Sequence, residues 1–171
     1  MNKPAKSSNP SPVEAVASQF NGFHRNKANK LIHYFTIPFL TFAVLGLIWS
    51  IPFPHLDFLG RYNGFVNWAS FVIAIAVYYY YRISQVLSYA ILLAIFAFSA
   101  CIVGLEKLHM QQGWPEMWQV CAIVCIVSWC MQFYGHKIEG RSPGIAYSFK
   151  TFVNGPVWLF YSLLRKTSIK L

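Results

Sequence analysis

The sequence predicts an all-α integral membrane protein with four transmembrane helices and a short C-terminal interfacial or re-entrant helix. Three observations carry this. Hydrophobic residues make up 56% of the chain and charged residues 11%, where a soluble domain carries about 25% charged residues; too few charges exist to cover a water-facing surface. The mean hydropathy is +0.43. The apolar residues are gathered into four runs of 17–22 residues that contain no Asp, Glu, Lys or Arg, and a helix needs about 20 residues to cross the ~30 Å hydrocarbon core.

In chain order, residues 1–12 (MNKPAKSSNPSP) are rich in Ser, Pro and Lys, a composition that predicts disorder. Residues 1–19 are accordingly assigned to a disordered tail. No apolar stretch follows at once, as a signal peptide would require. The four spans are residues 31–51, 65–81, 84–105 and 117–134. Arg82 and Ile83 alone join the second to the third, which predicts a tight helical hairpin. A fifth apolar stretch, residues 152–164, contains Asn154, Gly155 and Pro156. It is short for a span and fits a helix lying in the interface. At 171 residues one domain is expected. Cys101, Cys121, Cys125 and Cys130 all lie in apolar runs, without zinc-knuckle spacing, and read as small apolar helix residues.

Charge gives the orientation. The net charge is +9, but the basic residues are not spread over a solvated surface, so nucleic acid is not the expected partner; membrane lipids are. With four spans, one side receives Lys3, Lys6, Arg25, Lys27, Lys30, Arg82, Lys137, Arg141, Lys150, Arg165, Lys166 and Lys170, and the other only Arg61 and Lys107. Lys and Arg accumulate in cytoplasmic loops, so both termini are expected in the cytoplasm, in a bacterial inner membrane or the endoplasmic reticulum. A fifth span would place Arg165, Lys166 and Lys170 outside. Trp49, Trp68, Trp114, Trp118, Trp158 and Tyr78 to Tyr81 cluster at segment ends and read as interfacial belts.

The polar residues then need a reason. His24 and His33 flank the start of the first span, and His136 and Glu139 lie just past the fourth, on the same side. His55 and His109 fall on the opposite side. If 26–33 is helical, Asn26, Asn29 and His33 recur at i, i+3, i+7 and share a face. Gln132, His136 and Glu139 share another. Neutral imidazole is the commonest ligand for iron, zinc and copper. Asn, Gln and Glu oxygens can receive the other ring N–H. Two or three His with one carboxylate is the open set of non-haem iron(II) oxygenases. The bland alternative is that each His is an interfacial anchor, that Arg25, Lys27 and Lys30 only set topology, and that Glu139 pairs with Lys137 or Arg141.

The two segments, H-x-N-x-x-N-x-x-x-H (His24, Asn26, Asn29, His33) and Q-F-x-G-H with a following Glu and Pro (Gln132, Phe133, Gly135, His136, Glu139, Pro143), resemble the motifs of the Mpo1-like family, over a domain of residues 20–171. The resemblance implies an iron(II)-dependent dioxygenase of fatty acid α-oxidation that takes O2 and a 2-hydroxy fatty acid and removes one carbon. It implies that His24, His33 and His136 hold the iron, with Glu139 as a fourth ligand or a supporting carboxylate. Asn26, Asn29 and Gln132 would support the ligands, and Arg25, Lys27, Lys30 or Arg141 would steer the substrate carboxylate. Arg25 departs from the pattern, standing where the family's yeast member is expected to carry another His. Two rivals remain: a non-enzymatic lipid-binding or scaffold protein, and a zinc-dependent membrane hydrolase.

Overall fold

The computed structural model describes residues 10–60, 66–140 and 145–165. They form six helices and, among the described residues, no strand: α1 Pro12–Phe23, α2 Lys27–Trp49, α3 Trp68–Ile83, α4 Gln85–Gln112, α5 Met117–Glu139 and α6 Ile145–Leu164. Short polar side chains set the starts. Ser11 and Glu14 cap α1 reciprocally, Asn26 caps α2, Asn67 and Ser70 cap α3, and Ser84 caps α4. Each satisfies a backbone N–H that the first helical turn leaves without a partner.

The antiparallel pair α2–α5 is the spine of the bundle. It closes tightly because glycine stands at both ends of the contact. A Cβ at Gly46 would overlap Cys121 Sγ and come within 3.0 Å of Met117 Cε. A Cβ at Gly135 would overlap Asn29 Oδ1. Small residues let backbones approach where lipid gives no hydrophobic drive for association. α3 and α4 form the expected hairpin, with Ser84 both ending one helix and capping the next.

α6 lies against α1, α2 and α4. Trp158 Nε1 donates to Asn21 Oδ1 of α1 (3.2 Å). Tyr79 Oη donates to Asn154 Oδ1 (2.8 Å) and Tyr80 Oη to the Val153 carbonyl (3.0 Å), both from the C-terminal end of α3. The α1–α2 turn, the α3–α4 turn and the start of α6 therefore share one end of the bundle. Arg25, Lys27, Lys30, Arg82 and Lys150 belong to these segments, and Lys137 to the last turn of α5, which Glu139 joins to the α1–α2 turn. Lys107, near the C-terminal end of α4, lies toward the other end.

The structure differs from the sequence reading in several places. Residues 12–19, expected in a disordered tail, are the first two turns of α1. That helix buries Val13, Ala17 and Phe20, the i, i+4, i+7 stripe of an amphipathic helix. Among the described residues, three helices are long and apolar enough to cross a membrane: α2, α4 and α5. The segment expected as the second span forms a helix of 16 residues, about 24 Å at 1.5 Å per residue. α6 has 20 residues because its polar first turns are helical as well. α5 ends at Gly140, whose φ of +70° is a left-handed cap; Pro143 lies outside the described residues. Trp158 is 1% exposed and is not part of an interfacial belt.

Gly46→Leu is expected to force α2 and α5 apart. Thermal unfolding in detergent should show a loss of about 1–3 kcal/mol, the cost of overpacking.

Candidate metal centre

Three segments deliver three imidazoles to one point. His24 is the residue that ends α1, and its own N–H bonds back to the Phe20 carbonyl (3.0 Å). His33 lies in the second turn of α2, and His136 one turn from the end of α5. One ring nitrogen from each of His24, His33 and His136 lies within 4.8 Å of the other two. The ring centroids are 4.3 Å apart for His24 and His33, 5.6 Å for His24 and His136, and 5.5 Å for His33 and His136. All three side chains are buried, at 1%, 0% and 9% exposure.

Hydrogen bonding makes the group unusual. His24 Nδ1 sits 3.0 Å from the Phe20 carbonyl, an acceptor, so Nδ1 carries the proton and Nε2 the lone pair. Burial holds the His24 pKa below its ordinary 6.5, and the Lys30 charge pushes the same way, against the Phe20 carbonyl and Glu139, which raise it. The ring is therefore neutral near pH 7 and can act as a ligand. The ring nitrogens of His33 and His136 are buried and have no hydrogen-bond partner among the described residues. A stranded buried polar group costs about 1–3 kcal/mol, so four such atoms together need an explanation. A cation shared by neutral imidazoles answers their lone pairs. The donor set fits iron, zinc, copper or nickel, and three protein ligands leave coordination positions open.

Glu139 does not join that group. Oε1 accepts from the Arg25 N–H (2.7 Å) and Oε2 from the Asn26 N–H (3.0 Å) and from Asn29 Nδ2 (3.0 Å). The carboxylate thus sits on the N-terminus of α2, where the helix dipole favours negative charge. It ties the end of α5 to the α1–α2 turn. The fourth-ligand alternative finds no support in this geometry; the supporting role does.

The other expected site residues fall into two groups. Asn29 is fully buried beside Gly135 and reaches Glu139, while Gln132 Nε2 donates to Thr36 Oγ1 (3.2 Å) across α2 and α5. Asn26 caps α2 by accepting from the Ala28 N–H (2.8 Å). These three brace the helices that carry the histidines and, among the described residues, form no hydrogen bond to the ring nitrogens of His33 or His136. Of the basic residues, Arg25 Nε donates to the Gly22 carbonyl (3.3 Å), Lys27 is exposed and Lys30 half-buried at the rim. Arg141 lies outside the described residues. His55 and His109 lie at the far end; His55 is 3.6 Å from Asp57, and His109 contacts the Trp114 carbonyl.

Sequence reasoning missed the aromatic backing. The Phe20 ring stacks on His24 (4.2 Å, 21°), and Trp158 stacks on the other side of Phe20 (4.4 Å, 19°). Phe20 also meets His33 edge-on at 5.6 Å. The signal was present: Phe20 is four residues before His24, and Val13, Ala17 and Phe20 mark a helical face.

His24→Ala, His33→Ala and His136→Ala are each expected to abolish stoichiometric metal binding, measured by elemental analysis of purified protein. His55→Ala and His109→Ala are expected to leave it unchanged. Glu139→Ala is expected to weaken metal affinity by about 10–100-fold, the usual effect of removing a group that orients ligands, while leaving the metal's identity unchanged.

Neither the curated proteins nor the solved structures contain a match to the chain. Residues 11–167 match the family described as 2-hydroxy-palmitic acid dioxygenase Mpo1-like. That range takes in α1, which the sequence reading left in the tail, and all three histidines. With the match covering most of its length, the chain belongs to the Mpo1-like family.

Proposed function

We propose that the protein is an iron(II)-dependent membrane dioxygenase that shortens 2-hydroxy fatty acids by one carbon. The observation that carries this reading is the convergence of three buried imidazoles at the basic end of an apolar helix bundle. Family membership supports the reaction class. When bound, iron(II) supplies redox chemistry with O2 and coordination positions for substrate oxygens.

The chain's own residues do the rest. The Phe20 carbonyl fixes the His24 tautomer so that its Nε2 lone pair is available for a ligand role. Glu139 holds the α1–α2 turn against α5, which keeps His24 and His33 facing His136. Lys27 and Lys30, with the Arg25 guanidinium close by, make a positive rim that raises the local concentration of a fatty carboxylate. Phe20 and Trp158 cover one side of the site and exclude water there.

Protein purified without oxygen is expected to hold about one iron per chain, shared by its three histidines. Chelation should abolish conversion of a 2-hydroxy fatty acid to the acid one carbon shorter, and iron(II) should restore it. Stoichiometric zinc with hydrolytic activity would favour the hydrolase reading, since three imidazoles also form a catalytic zinc set. Absence of any metal would leave a scaffold.

We further infer that α3 crosses the bilayer as a fourth span, its shortness met by local thinning, with both termini in the cytoplasm. Single cysteines at Ala5, Arg82 and Ser168 in a cysteine-free background should all label from the cytoplasmic side. Labelling of residues 5 and 168 from opposite sides would defeat this topology.

A further inference from the structure

Below the histidines lies an apolar cleft of about 370 Å³, walled by α2, α3, α4 and α6. This volume lies within the range of small-molecule sites, about 300–1,000 Å³. We propose that the cleft holds the alkyl chain of the substrate and that its far end sets which chain lengths the enzyme accepts. The proposal rests on the reading of the site as one that handles 2-hydroxy fatty acids.

The cleft and the metal centre share a wall. Ile37 lines the cleft, packs with Phe20 and Trp158, and lies one helical turn after His33 on the same face of α2. Leu159 lines the cleft next to Trp158. From Ile37 the cleft follows α2 to Ile48, eleven residues, or about 16 Å at 1.5 Å per residue. That length takes roughly a dozen zigzagged carbon–carbon bonds of about 1.5 Å. Val72, near the start of α3, also lines the cleft.

The lining suits a hydrocarbon. Thr41 and Tyr80 are its hydroxyl-bearing residues, and both donate their protons elsewhere within the protein. Thr41 Oγ1 donates to the Ile37 carbonyl (2.8 Å), and Tyr80 Oη to the Val153 carbonyl (3.0 Å). The cleft therefore offers no spare donor to a polar ligand. From the basic end inward, the protein presents a cationic rim, three imidazoles, Ile37 and then the cleft. This is the order of groups along a 2-hydroxy fatty acid anion: carboxylate, hydroxyl, chain.

Lipid tails are as apolar as the cleft, so burying the chain gives no net hydrophobic gain over leaving it in the bilayer. Affinity then comes from the head group at the histidines, and the cleft contributes selection by length. Ala76 and Ala94 lie partway along it, where a larger side chain would cut it short.

The test is photolabelling of the full-length protein in phosphatidylcholine nanodiscs, with 2-hydroxypalmitic acid carrying a diazirine at its methyl end. Crosslinks mapped by mass spectrometry are expected at Ile48 and Val72, and excess unlabelled 2-hydroxypalmitic acid should suppress them several-fold. Ala76→Phe, and independently Ala94→Phe, should lose those crosslinks and shift turnover toward shorter 2-hydroxy acids. Thermal unfolding identifies whichever variant remains folded.

Crosslinks confined to outward-facing Ile75 and Leu93 would overturn the proposal. So would crosslinks that the competitor leaves unchanged, since a bilayer phospholipid would then occupy the cleft. An unaltered length profile in a folded, active Ala76→Phe protein would overturn it as well. Failure of the dioxygenase reading looks different: competed crosslinks at Ile48 and Val72 persist, with no oxidative turnover and no iron.

Discussion

One carboxylate, Glu139, holds the site together. Its two oxygens receive the Arg25 and Asn26 amides and the Asn29 side chain, so the last residue of α5 caps the first turn of α2. Two of the three histidines stand on either side of the capped turn, and the third is one turn before the Glu on α5. Moving Glu139 would therefore displace all three. The bond is also electrostatically favourable, because negative charge at a helix N-terminus is stabilised there. Asn29 transmits this constraint inward: it is fully buried against Gly135, and any side chain at 135 would push the two helices apart.

What Glu139 holds in place is a group of side chains that does not satisfy itself. His33 and His136 keep their ring nitrogens buried without partners, while the polar residues around them are bonded to one another. Gln132 with Thr36 and Asn29 with Glu139 brace the frame and, among the described residues, leave the rings of His33 and His136 without a hydrogen bond. A purely structural trio of histidines would use these same neighbours as hydrogen-bond partners. This frame spends its polar groups on fixing helix positions, which is the arrangement a ligand site needs.

The site was legible in the sequence to the extent that it is local. His33 with Asn29, and His136 with Gln132 and Glu139, follow from helical spacing, and the common side of the membrane follows from charge. The pairing of α2 with α5 could be argued only from the wish to join two motifs. The partner of each polar residue could not be read at all, because spacing gives a face and not the group across from it. Spacing thus puts Glu139 near the histidines but not against the Arg25 and Asn26 amides and the Asn29 side chain that its oxygens meet. α1 was missed because its Ser and Pro were weighed as signs of disorder, although Ser11, Pro12 and Glu14 together spell a helix start. Trp158 was misplaced for a related reason: an aromatic near a segment end reads as a belt residue, and only tertiary packing buries it against Phe20.

The separation of His24 and His33 from His136 along the chain has a consequence for how the protein is made. Chains emerge from the ribosome N-terminus first, so the first two imidazoles enter the membrane region well before the third is synthesised. Until α5 is inserted and Glu139 reaches the α1–α2 turn, the early pair has neither its third member nor the clip that aims it. If the three histidines hold a metal as proposed, its capture would be a late step in biogenesis. A chain truncated in α5 before His136 would carry two of the three histidines, so an assembled trio would report that α1, α2 and α5 have come together.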